Sequence, residues 1–392
     1  MTSRKRVLLV HNFYQIGGGE HTVFENEKHL LQKNNHEVYE YTRSNDELKA
    51  SKWKLFLLPL TTAWSFRTFF QVRAIIRKNN IEIVHCHNTF PLISPSVYYA
   101  ARSLKIPVIQ TVHNFRFLCP NGLCYSNGKI CEQCLCQNSF LPAMKLRCYR
   151  NSAVQTGVVA AMLTLHRWLR TYQKINYIFL TEFNKSKFSN LININADNVF
   201  IKPNFVYRPD VPICVGAIKK KFIYAGRLDE NKGILFLLEV WPDLPTDYEL
   251  HIYGDGSFRE VCETAASTYE NIHFYGFAPQ KKIFEDLSEA AALVFPSVWY
   301  ETFGMSWAES FSLGRPVLSA DLGNHGDLIR ASQGGLTYVI GDKESFCRAA
   351  ESIVTDNHRL SKNALNYFNG YLNEDRNYEL LSEIYDKAKH IR

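Results

Sequence analysis

Phe295–Val317 reads FPSVWYETFGMSWAESFSLGRPV. The apolar residues Leu293–Phe295 read as a buried strand that Pro296 ends. Gly304 permits a tight turn into a helix from about Met305 to Leu313, and Gly314 and Pro316 stop that helix. Such a turn leaves the backbone N–H groups of Phe303, Gly304 and Met305 free at a helix start, where partial positive charge suits phosphate or sugar oxygens. The same turn carries two carboxylates, Glu301 in the loop and Glu309 just over a turn into the helix. A helical side chain leans back toward the N-terminus, so Glu309 is placed to accept two hydroxyls from a ribose.

The strand–turn–helix unit recurs in both directions from this stretch. Val7–Val10, Val38–Tyr41, Ile81–His85, Val108–Val112 and Tyr177–Leu180 form one series of short apolar runs. Phe222–Ala225, Leu250–Tyr253, Ile272–Tyr275, Leu293–Phe295 and Val317–Ser319 form a second. Runs of this kind, separated by helix-length segments such as Glu20–Lys33, predict two α/β, doubly wound domains with parallel sheets. The seam falls in Lys202–Lys221, which holds Pro203, Pro209 and Pro212 and ends in a lysine run. Ligands of such folds bind at the carboxyl ends of strands, so the loops that follow the strands are where chemistry is expected.

With 392 residues, 46% apolar and 21% charged, the composition is that of a globular protein. The net charge of +7 is mild and scattered; it suits an anionic substrate or a membrane surface better than a dedicated nucleic-acid binder, and no nucleic-acid partner is expected. The apolar run behind Met1–Arg6 is only four residues long, and no stretch approaches the roughly 18 residues needed to cross a bilayer. The expected compartment is the cytoplasm, where thiols stay reduced, so the ten cysteines are packing, metal-binding or reactive groups.

Two further loops carry candidate anion sites. Gly17-Gly18-Gly19 follows the first strand and opens a helix, which suits close approach to a phosphate. The position a dinucleotide fingerprint reserves for its third glycine is Thr22, which disfavours a nicotinamide cofactor. In Gly226-Arg-Leu-Asp-Glu-Asn-Lys-Gly233, Arg227 and Lys232 leave the first strand of the second domain where both reach one diphosphate. Charge-assisted hydrogen bonds of that kind contribute about 1.5–3 kcal/mol each. Each of these loops is also compatible with a plain solvated turn.

Together the motifs carry a resemblance. Glu301-Thr-Phe-Gly-Met-Ser-Trp-Ala-Glu309, followed by Gly314-Arg-Pro-Val317, resembles the EX7E motif of family 4 retaining glycosyltransferases of the GT-B fold. The Gly17–Gly19 loop, His113 in Thr-Val-His-Asn, Lys202-Pro-Asn-Phe-Val206 and the Arg227–Lys232 loop resemble that family in its chain order, over nearly the whole chain. Trp307 and Ala308 depart from the usual aliphatic pair, and Ser310-Phe311 from small residues. The resemblance implies two Rossmann-like domains facing across a cleft. These are an acceptor-side domain 1–205, a nucleotide-sugar domain 206–372, and a C-terminal helix 373–392 returning to the first. It implies a nucleotide-sugar donor (UDP- or GDP-linked), with Glu309 on the ribose, Glu301 on the donor sugar, and Arg227 and Lys232 on the leaving diphosphate. Gly17, Gly18 and Gly19 approach the phosphates and the reacting sugar, with His113 beside the sugar. Gly254 and Phe277 border the base, and Phe303, Gly304 and Met305 offer their N–H groups. No Asp-x-Asp follows a strand, so no catalytic metal is expected. Transfer with retention, by a front-face route, is again what the resemblance implies.

Six cysteines crowd the insert 117–150. Cys131-Glu-Gln-Cys134 has knuckle spacing, and with Cys119 and Cys148 it is a candidate structural zinc site; Cys124 or Cys136 can substitute, and packed or redox-active cysteines are the alternatives. Placed after His113, the insert is expected on the acceptor side. A similar insert, with Cys119-Pro-Asn-Gly and Arg147-Cys-Tyr-Arg, marks a bacterial subgroup associated with surface polysaccharide assembly. In Ser51–Asn80, Trp53, Phe56, Trp64, Phe66, Phe69 and Phe70 alternate with Lys52, Lys54, Arg67, Arg73, Arg77 and Lys78, and Pro59 is expected to divide the segment in two. A basic aromatic surface of this type lies in a lipid interface, which suits a lipid-linked saccharide acceptor and peripheral attachment to the cytoplasmic membrane face; core aromatics with basic ends are the competing reading. His85-Cys-His87 is a weaker metal candidate, because strand alternation is taken to separate the pair, and structural or acceptor-site roles are preferred. The remaining alternatives are a GT-B sugar-nucleotide epimerase and a non-catalytic sugar- or lipid-binding scaffold. A hinge that closes the first domain over bound donor completes the expectation.

Overall fold

The computed structural model describes residues 4–15, 18–48, 52–213 and 219–391, without the side chains of residues 52–56. Its strands, in chain order, are β1 (Arg6–Phe13), β2 (Glu37–Ser44), β3 (Ile83–Asn88), β4 (Val108–Val112), the two-residue pair β5 (Tyr125–Ser126) and β6 (Lys129–Ile130), β7 (Asn176–Phe179) and β8 (Val199–Ile201). There follow β9 (Lys221–Ala225), β10 (Glu249–Tyr253), β11 (Ile272–Gly276), β12 (Ala292–Phe295), β13 (Val317–Ala320) and β14 (Gly335–Tyr338). Contacts divide the chain into two units. The first holds Met1–Ser126, Cys131–Pro203 and Asn377–Arg392; the second holds Asn127–Ile130 and Asn204–Arg376.

The first unit is built on a parallel sheet of order β2-β1-β3-β4-β7-β8. Val7 pairs with Val38 on one side and Ile83 on the other. Val7–Val10 are wholly buried, as strands covered on both faces must be. Val7, Leu9, Phe24, Leu31, Ile83, Ile109 and Ile178 form a core with Leu381, Ile384 and Tyr385 of the last helix, Glu374–Lys387. Side chains of this size contribute about 1.5–3 kcal/mol each when buried. The second unit repeats the architecture with the order β11-β10-β9-β12-β13-β14, again parallel throughout. Its core joins Phe222, Ile234, Trp241, Leu250, Val294, Leu318 and Phe346.

Both sheets have an edge strand that the apolar runs miss. Val199–Ile201 has three half-buried residues, and Gly335–Tyr338 alternates only weakly, so neither stands out by pattern. Two expectations need correction. Pro59 lies inside the helix Lys52–Ala63, and the chain breaks instead at Trp64–Ser65, where Ser65 Oγ accepts from Thr68 N and starts the helix Phe66–Asn79. His85 and His87 are not separated by alternation: residues two apart share a strand face, and the rings stack with centroids 4.7 Å apart.

At Gly233 the backbone has φ +74°, and a Cβ there would lie 1.9 Å from the Pro296 carbonyl oxygen. This close approach joins the turn after β9 to the segment after β12. Gly341 has a similar φ of +77° with open space around it. Gly341→Ala is expected to cost only the left-handed penalty of about 1–2 kcal/mol. Gly233→Ala must also displace backbone, so its loss in chemical denaturation will be clearly larger; equal losses would show that the Pro296 contact constrains nothing.

Candidate functional site

The carboxyl ends of β9, β10 and β12 gather most of the residues singled out in the second unit. Gly226 N donates to Tyr253 O at 3.0 Å, and Gly254 N donates to Gly276 O at 2.8 Å, lacing adjacent strand ends together. A Cβ on Gly254 would meet Gly226 O at 1.8 Å, so only glycine allows that approach. Phe277, just beyond β11, is 82% exposed and presents an open aromatic face.

Lys232 ends the single turn Glu230–Lys232, and its Nζ lies 2.5 Å from Glu301 Oε1. Ser297 Oγ and Trp299 Nε1 donate to the same oxygen at 2.9 and 2.7 Å. The Lys232 ammonium also lies 5.3 Å from the Trp299 ring centre. Burial alone would raise the Glu301 carboxyl, but the Lys232 charge and hydrogen bond, with that of Trp299, hold it below the usual range. Arg227 is exposed and pairs with Asp229 at 3.2 Å, while its carbonyl accepts from Tyr224 OH at 2.7 Å. Each of the two cations singled out by the sequence thus contacts a carboxylate.

Gly304 takes φ +89° and caps the helix Met305–Ser312. Phe303 is buried beside it, and its carbonyl accepts from Trp307 Nε1 at 2.6 Å. The unusual tryptophan therefore pins the turn whose N–H groups the sequence singles out. Glu309 Oε1 accepts from Gln280 Nε2 at 2.7 Å, and burial pushes its carboxyl up to about 7. His325, on the helix Gly323–Ser332, is wholly buried and feels the Glu301 charge, and its Nε2 has no hydrogen-bond partner. Sequence reasoning missed it; the polar Asn324-His325 directly after a predicted strand was the available signal.

In the first unit Gly17 lies outside the described residues, Gly18 caps the helix Gly19–Lys33 in an extended conformation, and Gly19 opens it. Glu20, in the first turn, is pushed up to about 8 by burial; Arg116 opposes that shift, and Asn114 Nδ2 donates to Glu20 Oε2 at 3.4 Å. His113 Nε2 lies 2.9 Å from His87 Nδ1 with the rings stacked, and a cavity of about 40 Å³ beside them is lined by Asn88, Gln110, Thr111, Asn114 and Arg116. Burial, and then the neighbouring His87, hold His113 well below the usual histidine range, so it is neutral. Behind it Lys202 Nζ reaches Glu27 Oε2 at 2.9 Å, with both side chains fully buried. Burial opposes ionisation of Glu27, but Lys202 and then His85 and His87 bring its carboxyl well below the ordinary value.

Two groups approach metal-ligand spacing among the described residues: Glu27 with His85 and His87, and Glu249 with His251 and His273. In the first the Lys202 ammonium already supplies the cation. In the candidate cysteine quartet, Cys119, Cys131 and Cys148 all lie within electrostatic reach of Cys134, and Cys119 and Cys131 within that of Cys148. Among the described residues no three cysteine sulfurs lie within 4.8 Å of one another, wider than the spacing in a closed thiolate site. Cys119 is hydrogen-bonded to the Cys124 thiol and to the N–H groups of Asn121, Gly122 and Cys124, which lower it to about 6. Cys136 is exposed.

The large exposed apolar residues of the first unit lie on or beside four helices. They are Leu57 and Leu60, Phe66 and Phe70, Leu141 and Met144, and Val154, Leu165, Trp168 and Leu169. Trp64 and Phe69 are half-buried against each other, and the side chains of Trp53 and Phe56 lie outside the described residues. A groove of about 620 Å³ runs between the helices Leu141–Lys145 and Ala153–Trp168, lined by Phe140, Leu141, Met144, Ala161, Leu165 and Trp168. Arg67, Arg77, Lys145, Arg147, Arg150 and Arg170 are exposed on or next to the same helices. No described helix is long and apolar enough to cross a membrane.

Comparison with known proteins places this geometry. Residues 16–129 match the family model described as Glycosyltransferase Family 4, and residues 219–356 match the one described as Glycosyl transferases group 1. Lipopolysaccharide 1,6-galactosyltransferase of Escherichia coli (strain K12) is 31% identical over 133 residues, which are 32% of this chain and only 37% of that protein. The 2-deoxystreptamine N-acetyl-D-glucosaminyltransferase of Niallia circulans is 25% identical over 290 residues, covering 71% of this chain and 69% of that enzyme. The structure of Anabaena HepE in complex with UDP aligns with a TM-score of 0.65 at 13% identity, over 96% of this chain and 98% of that one, a likeness of fold alone. With more than half of its residues inside the two family matches, the chain belongs to glycosyltransferase family 4 and has the GT-B fold.

Proposed function

We propose that this protein transfers a glycosyl unit from a UDP-sugar to a lipid-linked saccharide, with retention of configuration, during assembly of a cell-surface polysaccharide. The observation that carries the reading is the Lys232–Glu301 pair, in the unit that also holds exposed Arg227 and half-buried Glu309. Without donor, the pair neutralises itself. When a diphosphate arrives, Lys232 exchanges a carboxylate for phosphate oxygens, and Arg227 does the same from Asp229. Glu301 Oε1 then accepts from a hydroxyl of the donor sugar in place of the ammonium, and Glu309 accepts from the ribose hydroxyls. As the glycosyl–oxygen bond breaks, the two cations stabilise charge on the leaving diphosphate. The acceptor hydroxyl attacks from the face the diphosphate leaves, and a phosphate oxygen takes its proton. The galactosyl- and N-acetylglucosaminyl-transferring relatives support a nucleotide-sugar donor, and a neighbour of the same fold that binds UDP motivates the choice of base. The apolar groove with its exposed arginines supports a lipid-linked acceptor at an anionic membrane surface.

Among UDP, GDP and ADP, UDP is expected to raise the melting temperature most, and a larger rise with GDP would overturn the base assignment. Lys232→Ala is expected to lower kcat about 10²-fold or more with a smaller change in the dissociation constant for UDP; unchanged turnover would remove the leaving-group role.

Glu309 is raised from 4.5 to about 7 by burial, so the folded protein binds its proton more tightly than the unfolded chain. That contribution to stability is full below about 4.5 and is lost as pH rises through about 7. Glu309→Gln should therefore melt higher than the parent at pH 8, with the advantage shrinking toward pH 5, while UDP-sugar affinity falls about tenfold or more with loss of the charged acceptor. A difference in melting temperature independent of pH would contradict this.

In flotation with vesicles of phosphatidylglycerol and phosphatidylcholine at low salt, the parent should co-float and Leu141→Asp/Trp168→Asp should remain in the dense fraction. If both behave alike, the groove does not face the lipid.

A further inference from the structure

We infer that the buried Glu27–Lys202 pair, acting through His87, fixes His113 as its neutral Nε2–H tautomer, which makes Glu27 and His87 positioning residues for the site. The inference rests on the reading of His113 as a site residue. His87 Nε2 is buried and has no hydrogen-bond partner, and Glu27 Oε1 lies 3.3 Å from it and 3.0 Å from His85 Nδ1. Lys202, 2.9 Å from the other carboxylate oxygen, keeps Glu27 ionised. A bare nitrogen lone pair facing that ionised oxygen inside the protein would be repulsive, whereas an N–H facing it is attractive. A His87 ring that carries a single proton therefore holds it on Nε2, and its Nδ1 accepts. His113 Nε2, 2.9 Å from His87 Nδ1, must then be the donor. That leaves His113 Nδ1 as a hydrogen-bond acceptor and denies it a proton to give.

The neighbouring histidine fits the same scheme. His85 Nδ1 lies 3.0 Å from Glu27 Oε1 and 2.9 Å from Tyr385 OH, and its Nε2 lies 2.7 Å from Thr111 Oγ1, which can donate to it. Asn377 braces the lysine, its Oδ1 accepting from Lys202 Nζ at 3.1 Å while its Nδ2 donates to Pro203 O at 2.7 Å. One carboxylate thus orders two imidazoles directly and a third through a relay.

The test is two-bond proton–nitrogen correlation on full-length protein labelled with [15N]histidine, with His113 assigned by comparison with His113→Gln. The expected result is a neutral His113 almost entirely protonated on Nε2. A predominant Nδ1–H form, or a doubly protonated His87 at neutral pH, overturns the inference without any variant having to fold. In Glu27→Gln/Lys202→Met, which removes both charges, the Nδ1–H form of His113 should become populated and kcat should fall roughly tenfold or more while UDP affinity stays within about twofold. An unchanged tautomer in that variant overturns the role of the pair. If the tautomer shifts but turnover does not, the positioning role is refuted, and normal transfer by His113→Gln would place the failure in the reading of His113 itself.

Discussion

A glutamate carried into the protein by a parallel α/β unit must find a cation there, and in both units that cation is a lysine from a distant stretch of chain. Glu27 meets Lys202 at 2.9 Å, and Glu301 meets Lys232 at 2.5 Å. An unpaired buried carboxylate would cost several kcal/mol in lost hydration, so neither glutamate is tenable without its partner. Each pair sits among the loops and helices that follow the strands, and these are the places where the fold exposes unsatisfied backbone and helix starts.

The two pairs differ in what they leave open. Glu27 and Lys202 are fully buried, and Asn377, His85 and His87 use their remaining capacity, so the pair acts as a fixed charge. Lys232 is half-buried beside the Trp299 face, and three donors crowd one oxygen of Glu301. That arrangement suits exchange, because an arriving anion can take the lysine while a hydroxyl takes the carboxylate. Glu20 and Glu309 stand apart from both pairs. Burial suppresses the ionisation of both, outweighing Arg116 at Glu20 and meeting no cation at Glu309, the usual mark of a carboxyl held ready for a polar ligand.

Much of the architecture was legible because it follows from local pattern. Short, mainly apolar runs spaced by helix-length segments are buried best in a parallel sheet, and ten such runs fall in the two sheets observed. The weakly patterned edge strands Val199–Ile201 and Gly335–Tyr338 escaped for the same reason, since an edge is half solvated and imposes no apolar run. The residue pattern Glu301–Glu309 around Gly304 was equally visible, because a strand stop, a turn glycine and a helix stop are all local signals.

Pairing was not legible. No spacing rule connects Lys202 to Glu27 across 175 positions, or His87 to His113 across 26, because these contacts arise when separate strands and helices pack. The cysteine insert makes the same point. Its spacing suggests a quartet, but not that the backbone of the loop 119–124 turns its own N–H groups onto Cys119. By itself the sequence determined the fold class, the strand ends that carry chemistry and the residues placed there. Only the tertiary structure decided which charges neutralise each other and which remain available, because Coulomb energy and desolvation depend on distance and burial through space, and neither is encoded by separation along the chain.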